Sequence, residues 1–275
     1  MRSRNWIIAG AVVLLVGLAA GFWLYNWVLG DTQPASGEIS AIPLEIQATN
    51  TIVESTATKA AATEAASSQA DATESMVAVT PQSEASPQND SQANPGAGLT
   101  VFQINQDESQ VQFSIYEELR GAPKTVVGVS NQVAGEAAVD LNDLSTAQLG
   151  VIQIDARTLA TDDDRRNQAI RNRILHTDQY EYITFTPTQI IGLNGSAVVG
   201  QSYTFQIAGG LTIQDVTQPV VFDATVSVEA PDRLSGSAKT TVQRGDFNLV
   251  IPNVPFVANA GEEVTLEINF VLAAK

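Results

Sequence analysis

The feature that most limits the fold is a period-2 alternation of apolar and polar residues, repeated in eight segments of the C-terminal part of the chain. Successive side chains of a β-strand point to opposite faces, so each segment predicts a strand with one apolar face. The segments are Val111–Ile115, Val133–Leu141, Ile152–Ala156, Ile183–Phe185, Tyr203–Ile213, Val220–Val228, Leu234–Val242 and Val264–Leu272. Sequential strands of this kind favour an antiparallel meander that closes on itself as a barrel, and a two-sheet sandwich is the alternative.

The apolar faces include several small residues. These are Gly135, Ala137, Gly209, Gly236 and Ala238. An eight-stranded barrel lined in this way can leave a cavity instead of a filled core. Small residues can also ease the curvature of the strands, and the pattern by itself does not choose between the two.

One short helix is predicted between the third and fourth strands. Thr161 is the expected N-cap, and the acidic run Asp162–Asp164 suits the positive end of a helix dipole. Ile170 and Ile174 lie four residues apart, on the face that would pack against the barrel. The three aspartates lack the ligand spacing and the glycine of a calcium loop, so capping is favoured over calcium binding.

Residues 1–30 are predicted to be a single transmembrane helix. The run Trp6–Leu29 has 24 residues without a charged side chain, and as a helix it would be roughly 36 Å long, enough to cross a bilayer. Arg2 and Arg4 precede it, so the N-terminus is expected in the cytoplasm and the rest of the chain on the extracytoplasmic side of the cell membrane. A cleaved signal peptide is the alternative, but the apolar run is long for one.

Residues 31–98 are predicted to be a disordered linker. They carry nine acidic residues, one basic residue and no aromatic residue, and they are rich in Ala, Ser, Thr, Gln and Pro. Such a segment cannot bury enough apolar surface to offset its loss of chain entropy. As a flexible chain of 68 residues it would span roughly 45 Å r.m.s.. Residues 99–275 form the folded domain.

Composition excludes several classes of function. The net charge of -16 argues against nucleic acid binding. The chain has no cysteine, which excludes disulfide scaffolds, cysteine zinc sites and thiol nucleophiles. His176 is the one imidazole, just past the predicted helix, where an exposed or capping role is expected. No sequence motif of a nucleophile elbow, a phosphate loop or a dinucleotide site occurs.

Several blocks of the folded domain resemble one known family. The stretch Thr158–Asp162 continues through Arg165-Arg166-Asn167 and Ile170–Leu175 to Tyr180–Phe185, and it is similar to the signature segment of YceI-like, polyisoprenoid-binding proteins. The later block Gly209–Val220 is similar to a conserved hairpin of that family. The opening Asp107–Phe113 and the closing Arg244–Phe247 match in the same order, so the resemblance covers residues 99–275.

The resemblance implies an extended lipocalin-like barrel that holds a long isoprenoid or other lipid chain in an apolar tunnel. The overall expectation is therefore a mainly β protein, with an antiparallel eight-stranded barrel and one short helix, preceded by the membrane helix and the linker. It would be a membrane-tethered extracytoplasmic lipid-binding protein that sequesters or transports its ligand. The candidate lining residues are Phe113, Ile115, Ile154, Phe185, Phe205, Ile207, Phe222 and Phe247.

Binding of this kind needs no catalytic group, so no enzymatic activity, catalytic residue, metal site or cofactor is predicted. The expected partners are the lipid, the membrane through the N-terminal helix, and a second copy of the chain. One alternative is a surface-displayed structural or protein-interaction barrel with a filled core. Another is a hydrolase with two catalytic carboxylates, which requires a cleft that brings two acids together.

Overall fold

The computed structural model describes residues 35, 37–46, 98–252 and 257–275. The predicted transmembrane helix and most of the predicted linker lie outside these residues. Within the described ranges, the structure contains no helix that has both the length and the apolar character needed to cross a membrane.

The folded domain consists almost entirely of antiparallel β-strands. The strands are β1 Leu99–Ile104, β2 Gln110–Leu119, β3 Ala122–Ser130, β4 Val133–Ala134, β5 Glu136–Asp140, β6 Asp143–Leu149, β7 Ile152–Asp155, β8 Tyr182–Ile191, β9 Ser202–Ile213, β10 Val216–Ala230, β11 Arg233–Gln243, β12 Val257–Ala258 and β13 Glu263–Ala274.

Several of these segments are parts of one longer, bent strand. The β1–β2 strand is interrupted by a 3₁₀ turn at Gln106–Glu108. It pairs along its length with the β3–β5 strand, which pairs in turn with the β6–β7 strand. With β8, β9, β10, β11 and β13 this makes eight strands, each antiparallel to the next.

The sheet closes into a barrel because β13 pairs with the first strand of the chain. Val264 lies opposite Ile115 of β2, and Leu272 lies opposite Ile104 of β1. The prediction of a closed antiparallel meander of eight strands is therefore confirmed.

Four strand segments, β1, β3, β6 and β12, are absent from the eight predicted ones. β3 has apolar residues on both faces, because Val126 is 2% exposed inside the barrel while Val127 is 43% exposed outside it. A continuous β-branched run of this kind does not alternate, so a period-2 search passes over it.

The connections between strands define two ends of the barrel. The helix end carries the turn at 120–121, the long connection 156–181, the turn at 214–215 and the described parts of the connection 244–262. The hairpin end carries the turns at 141–142 and 231–232 and the connection 192–201.

The predicted helix is present, but its N-cap differs from the expected one. Helix α1 spans Asp164–Ala169 and continues as a π-helical turn, Ile170–Ile174. Asp163 caps it, with its Oδ1 accepting hydrogen bonds from the amides of Arg165 and Arg166 at 2.9 and 3.0 Å. These bonds, with the nearby arginine charges, hold the pKa of Asp163 below its usual value.

Thr161 was expected to cap the helix and does not. Its amide and its hydroxyl both donate to Oδ1 of the buried Asn167, each at 2.7 Å. The hydroxyl is therefore used in a loop that holds the start of α1. His176 follows the π-helical turn in a left-handed conformation and is exposed, in agreement with the expected structural role.

Three glycines of the inner face, Gly128, Gly209 and Gly236, lie under neighbouring phenylalanine rings. The Phe113 ring occupies the space where a Cβ of Gly128 would lie, and the Phe270 ring does the same at Gly236. At Gly209 an added Cβ would be 2.6 Å from the Phe185 ring and 2.5 Å from the carbonyl oxygen of Thr186. Because each ring covers a glycine on the adjacent strand, it lies along the barrel wall instead of pointing into the centre.

Residues 37–46 belong to the predicted linker, but they lie against the barrel. Ile39 is 7% exposed, and the backbone amide of Leu44 donates to Oε2 of Glu136 at 3.0 Å. The described part of the predicted linker is thus placed against the barrel, by contacts that its composition does not reveal.

The two adjacent glycines of β9 allow a direct test of the packing against the wall. Gly209→Ala should lower the free energy of unfolding by about 1–3 kcal/mol, because the added methyl meets a backbone carbonyl and a packed ring. Gly210→Ala should cost less, since its methyl meets only the end of the Thr217 side chain, at 3.1 Å. Urea unfolding of both variants checks this order, and equal losses would contradict the role given to Gly209.

Candidate functional site

An internal cavity of about 790 Å³ occupies the barrel. All eight strands contribute side chains to it, from Leu144 and Leu234 near the hairpin end to Ile170 and Pro252 at the helix end. On β13 the lining runs from Val264 to Leu272, a distance of about 26 Å along the strand at the usual rise per residue. The cavity is therefore long and follows the barrel, and the volume is in the range of small-molecule sites.

All eight of the candidate residues from the sequence line this cavity. They are Phe113, Ile115, Ile154, Phe185, Phe205, Ile207, Phe222 and Phe247. The ring of Phe185 meets that of Phe222 edge-to-face, with centroids 5.0 Å apart. The structure thus brings the set together on one surface, and a role in ligand binding stays a prediction for each of them.

A cluster of buried apolar side chains lies toward the hairpin end of the barrel. Phe102 and Val133 are fully buried there, in a cluster that includes Val228 and Leu272. Val228 and Leu272 also line the cavity, as do Leu144 and Leu234 of the same cluster, so the cavity extends into this part of the barrel. The filled-core alternative is therefore not supported.

The lining also contains a buried ion pair that the sequence pattern did not predict. Glu117 is 8% exposed and continues the inward series of Phe113 and Ile115 on β2. Its Oε1 accepts a hydrogen bond from Nη2 of Arg166, on α1, at 3.0 Å. A charged residue in the inward phase of an alternating strand was the signal that could have revealed it.

Arg166 also connects the helix to the β2–β3 hairpin through a second carboxylate. Its Nη1 is 2.5 Å from Oδ1 of Asp162, and Nζ of Lys124 on β3 is 2.7 Å from Oδ2 of the same residue. Hydrogen bonds from Lys124, and then from Arg166, lower the pKa of Asp162, which stays ionised at neutral pH. This network fixes α1 across the helix end of the barrel.

The remaining polar groups of the helix end include three further arginines. Arg120, Arg165 and Arg244 contribute to the lining of the cavity there. Arg244 donates to the carbonyl oxygens of Gly261 and Leu249, each at 3.0 Å, and pairs with Glu262. It thereby holds the turn that places Phe247, which is 1% exposed, against the lumen.

The cavity makes the barrel less stable than a filled one would be. Empty volume costs stability because the side chains around it lose packing contacts, and the cost grows with the volume. The fold therefore gains stability from any apolar molecule that fills the lumen.

Comparison with known proteins identifies one family. The model of the YceI-like domain matches residues 102–272. No curated protein matches the chain.

Among solved structures, the chain is similar to a polyisoprenoid binding domain from Saccharophagus degradans implicated in plant cell wall breakdown. The identity is 14% and the TM-score 0.50, over 64% of this chain and 99% of that one. It is also similar to BcnA of Burkholderia cenocepacia, with 18% identity and a TM-score of 0.47 over 61% of this chain and 98% of that one. At such identities a likeness speaks for the fold alone, and here the argument rests on the first structure.

The ion pair between Glu117 and Arg166 can be tested with a double-mutant cycle. Arg166→Met should lower the free energy of unfolding by about 1–3 kcal/mol, because it leaves a buried carboxylate without its strongest donor. The double variant Glu117→Met/Arg166→Met should lose less, since no uncompensated charge remains. Denaturant unfolding of the wild type, both single variants and the double variant measures the coupling. Equal losses in Arg166→Met and the double variant would remove the pair from this account.

Proposed function

The chain belongs to the YceI-like domain family, and on this basis we propose that its barrel binds a long apolar chain of isoprenoid or similar lipid type. The observation that carries the proposal is the 790 Å³ cavity that extends along the barrel. It is lined mainly by aliphatic and aromatic side chains, which suit a flexible hydrocarbon and offer it few directional contacts.

The energetics of such a site follow from burial alone. Each CH₂ group removed from water contributes about 0.8 kcal/mol, so ten of them contribute about 8 kcal/mol, the binding free energy of a micromolar complex. The arginines and carboxylates of the lining gather mainly at the helix end, where the polar head of an amphiphilic lipid would lie. The Saccharophagus degradans domain, described as polyisoprenoid binding, supports the isoprenoid class as the first to test.

The carboxylates that line the cavity have structural partners, which favours binding over hydrolysis. Glu117 pairs with Arg166, and Asp163 caps α1. Two further carboxylates, on the outer faces of β5 and β13, are also paired: Glu136 with Lys275, and Glu267 with Lys239 at 3.9 Å. We therefore propose a carrier or sequestering protein without catalytic activity.

We further propose that Trp6–Leu29 holds the barrel at the extracytoplasmic surface of the cell membrane. Support comes from the sequence: 24 uncharged residues preceded by two arginines. A second copy of the chain stays a candidate partner.

The extracytoplasmic placement predicts that a protease added to intact cells cuts off the barrel, once any layer outside the cell membrane has been removed. A barrel that stays protected until the cells are lysed would contradict it.

Ligand retention is tested by purifying the full chain without detergent, in polymer-bounded membrane discs, and analysing extracted lipids by mass spectrometry. Wild type should carry an apolar molecule that Phe205→Arg lacks, because the substitution puts a charge into the lumen. The matched control is Thr204→Arg, next to it on the outer face, which should retain the molecule.

A neutral variant separates loss of binding from loss of folding. Ala238 lines the cavity and is 5% exposed, so Ala238→Phe should reduce retention by filling the lumen while keeping it apolar. Circular dichroism checks that each variant is folded. Identical lipid profiles for wild type, Phe205→Arg and Ala238→Phe would refute the proposed site.

A further inference from the structure

Residues 37–46, here called the strap, are joined to the outside of the barrel by contacts that the tunnel does not use. The side-chain amide of Gln106 donates to the carbonyl oxygen of Ile39. The backbone amide of Leu44 donates to Oε2 of Glu136 at 3.0 Å. The Leu44 Cβ is 3.6 Å from the position that a Cβ of Gly150 would occupy.

The three barrel residues that receive the strap lie on three adjacent strands. Gln106 lies in the break of the β1–β2 strand, Glu136 at the start of β5, and Gly150 in the break between β6 and β7. The amide of Gly150 donates to the carbonyl oxygen of Glu136 at 2.8 Å, so the last two are direct neighbours. The strap therefore crosses the strands where they bend and does not extend the sheet as a further strand.

The barrel face under the strap has the character of a covered surface. Ala134, Glu136 and Ala138 occupy the outward phase of β4 and β5, yet none is more than 4% exposed. Outward positions of a barrel are normally solvated, and the two alanines leave room for another chain segment. Glu136 completes the strip, because its Oε1 is 2.5 Å from Nζ of Lys275 while its Oε2 accepts from the strap.

The strap buries one apolar side chain and exposes another. Ile39 is 7% exposed, whereas Ile42, three residues later, is 45% exposed. The strap and the barrel fall in the same compact unit. Two hydrogen bonds and a few apolar contacts would be a weak interaction between separate molecules. A covalent connection raises the effective concentration of the strap at the barrel and so favours its docking.

We infer that the outer face at Glu136 is a second binding site of this protein, and that its ligand is the chain's own extended segment 37–46. The chain on either side of residues 47–97 is then attached to the barrel, so these residues do not add to the reach of the proposed tether. The distance from the N-terminal apolar run to the barrel is limited by the residues between Leu29 and Gly37, at most about 28 Å when extended. That last consequence rests on the proposed membrane tether, whereas the docking of the strap does not.

A designed disulfide tests the docking in the full chain. The chain has no cysteine, so Leu44→Cys/Gly150→Cys introduces its only thiols, and a Cβ separation of 3.6 Å suits a disulfide. Mild oxidation should link the pair nearly completely, as peptide mass mapping would show. The control is Leu44→Cys/Gly192→Cys, with the second cysteine at an open position in the turn after β8. Equal yields for the two pairs would overturn the inference.

Hydrogen exchange tests the same docking without a cross-link. The amide of Leu44 should be protected in the wild type, and Ile39→Asp should speed its exchange at least tenfold by expelling the strap. Ile42→Asp adds the same charge at an exposed position and should leave the exchange rate within about twofold. An unprotected amide in the wild type, or equal effects of the two substitutions, would overturn the inference.

The two sites are separated by measuring lipid in the strap variants. Ile39→Asp should keep the lipid content of the wild type, and Phe205→Arg should keep the protection of the Leu44 amide. Loss of lipid in Ile39→Asp would show that strap and tunnel are one site and would overturn their separation. A protein without lipid whose strap still cross-links would refute the tunnel proposal and support the strap.

Discussion

An open β-sheet leaves a row of unpaired amide and carbonyl groups at each edge, and a barrel removes both edges only if its last strand pairs with its first. In this protein β13 satisfies that condition by pairing with β2 and, further along, with β1. Closure directs the apolar faces of all eight strands toward one lumen. The cavity, the helix across one end and the strap on the outer face are all positioned by it.

Closure alone does not keep the lumen open, since the side chains of eight strands are about sufficient to fill a barrel. Here the rings of Phe113, Phe185 and Phe270 lie over glycines of adjacent strands and form part of the wall. Each ring packs against the wall, so these large side chains do not occupy the centre of the barrel. The open lumen lowers the stability of the barrel, and its apolar lining suits an apolar ligand.

Two buried glutamates hold two segments that are not strands, the helix α1 and the strap. Glu117, inside the barrel, holds Arg166 of the helix, while Glu136, outside, holds the backbone of the strap. A buried carboxylate requires donors, and in each case a segment from another part of the chain supplies one. On the strand face that each glutamate occupies, the neighbouring side chains are apolar or small. Burying a carboxylate there costs free energy, and the hydrogen bond to the segment that it positions offsets this cost.

Alternation along the chain determined eight strand segments, their inward face and the seven lining candidates that lie within them, because a strand's two faces differ in solvent contact and this difference is local. The same rule missed β3, where both faces are apolar. Local capping preference chose Thr161 as the helix cap, since it could not show that Asn167 engages that hydroxyl. Only the tertiary structure decided three points: whether the glycines left a void or lay under a packed ring, which donor neutralised Glu117, and where residues 37–46 dock. Each of these depends on atoms that are distant in sequence and meet only after the barrel has closed.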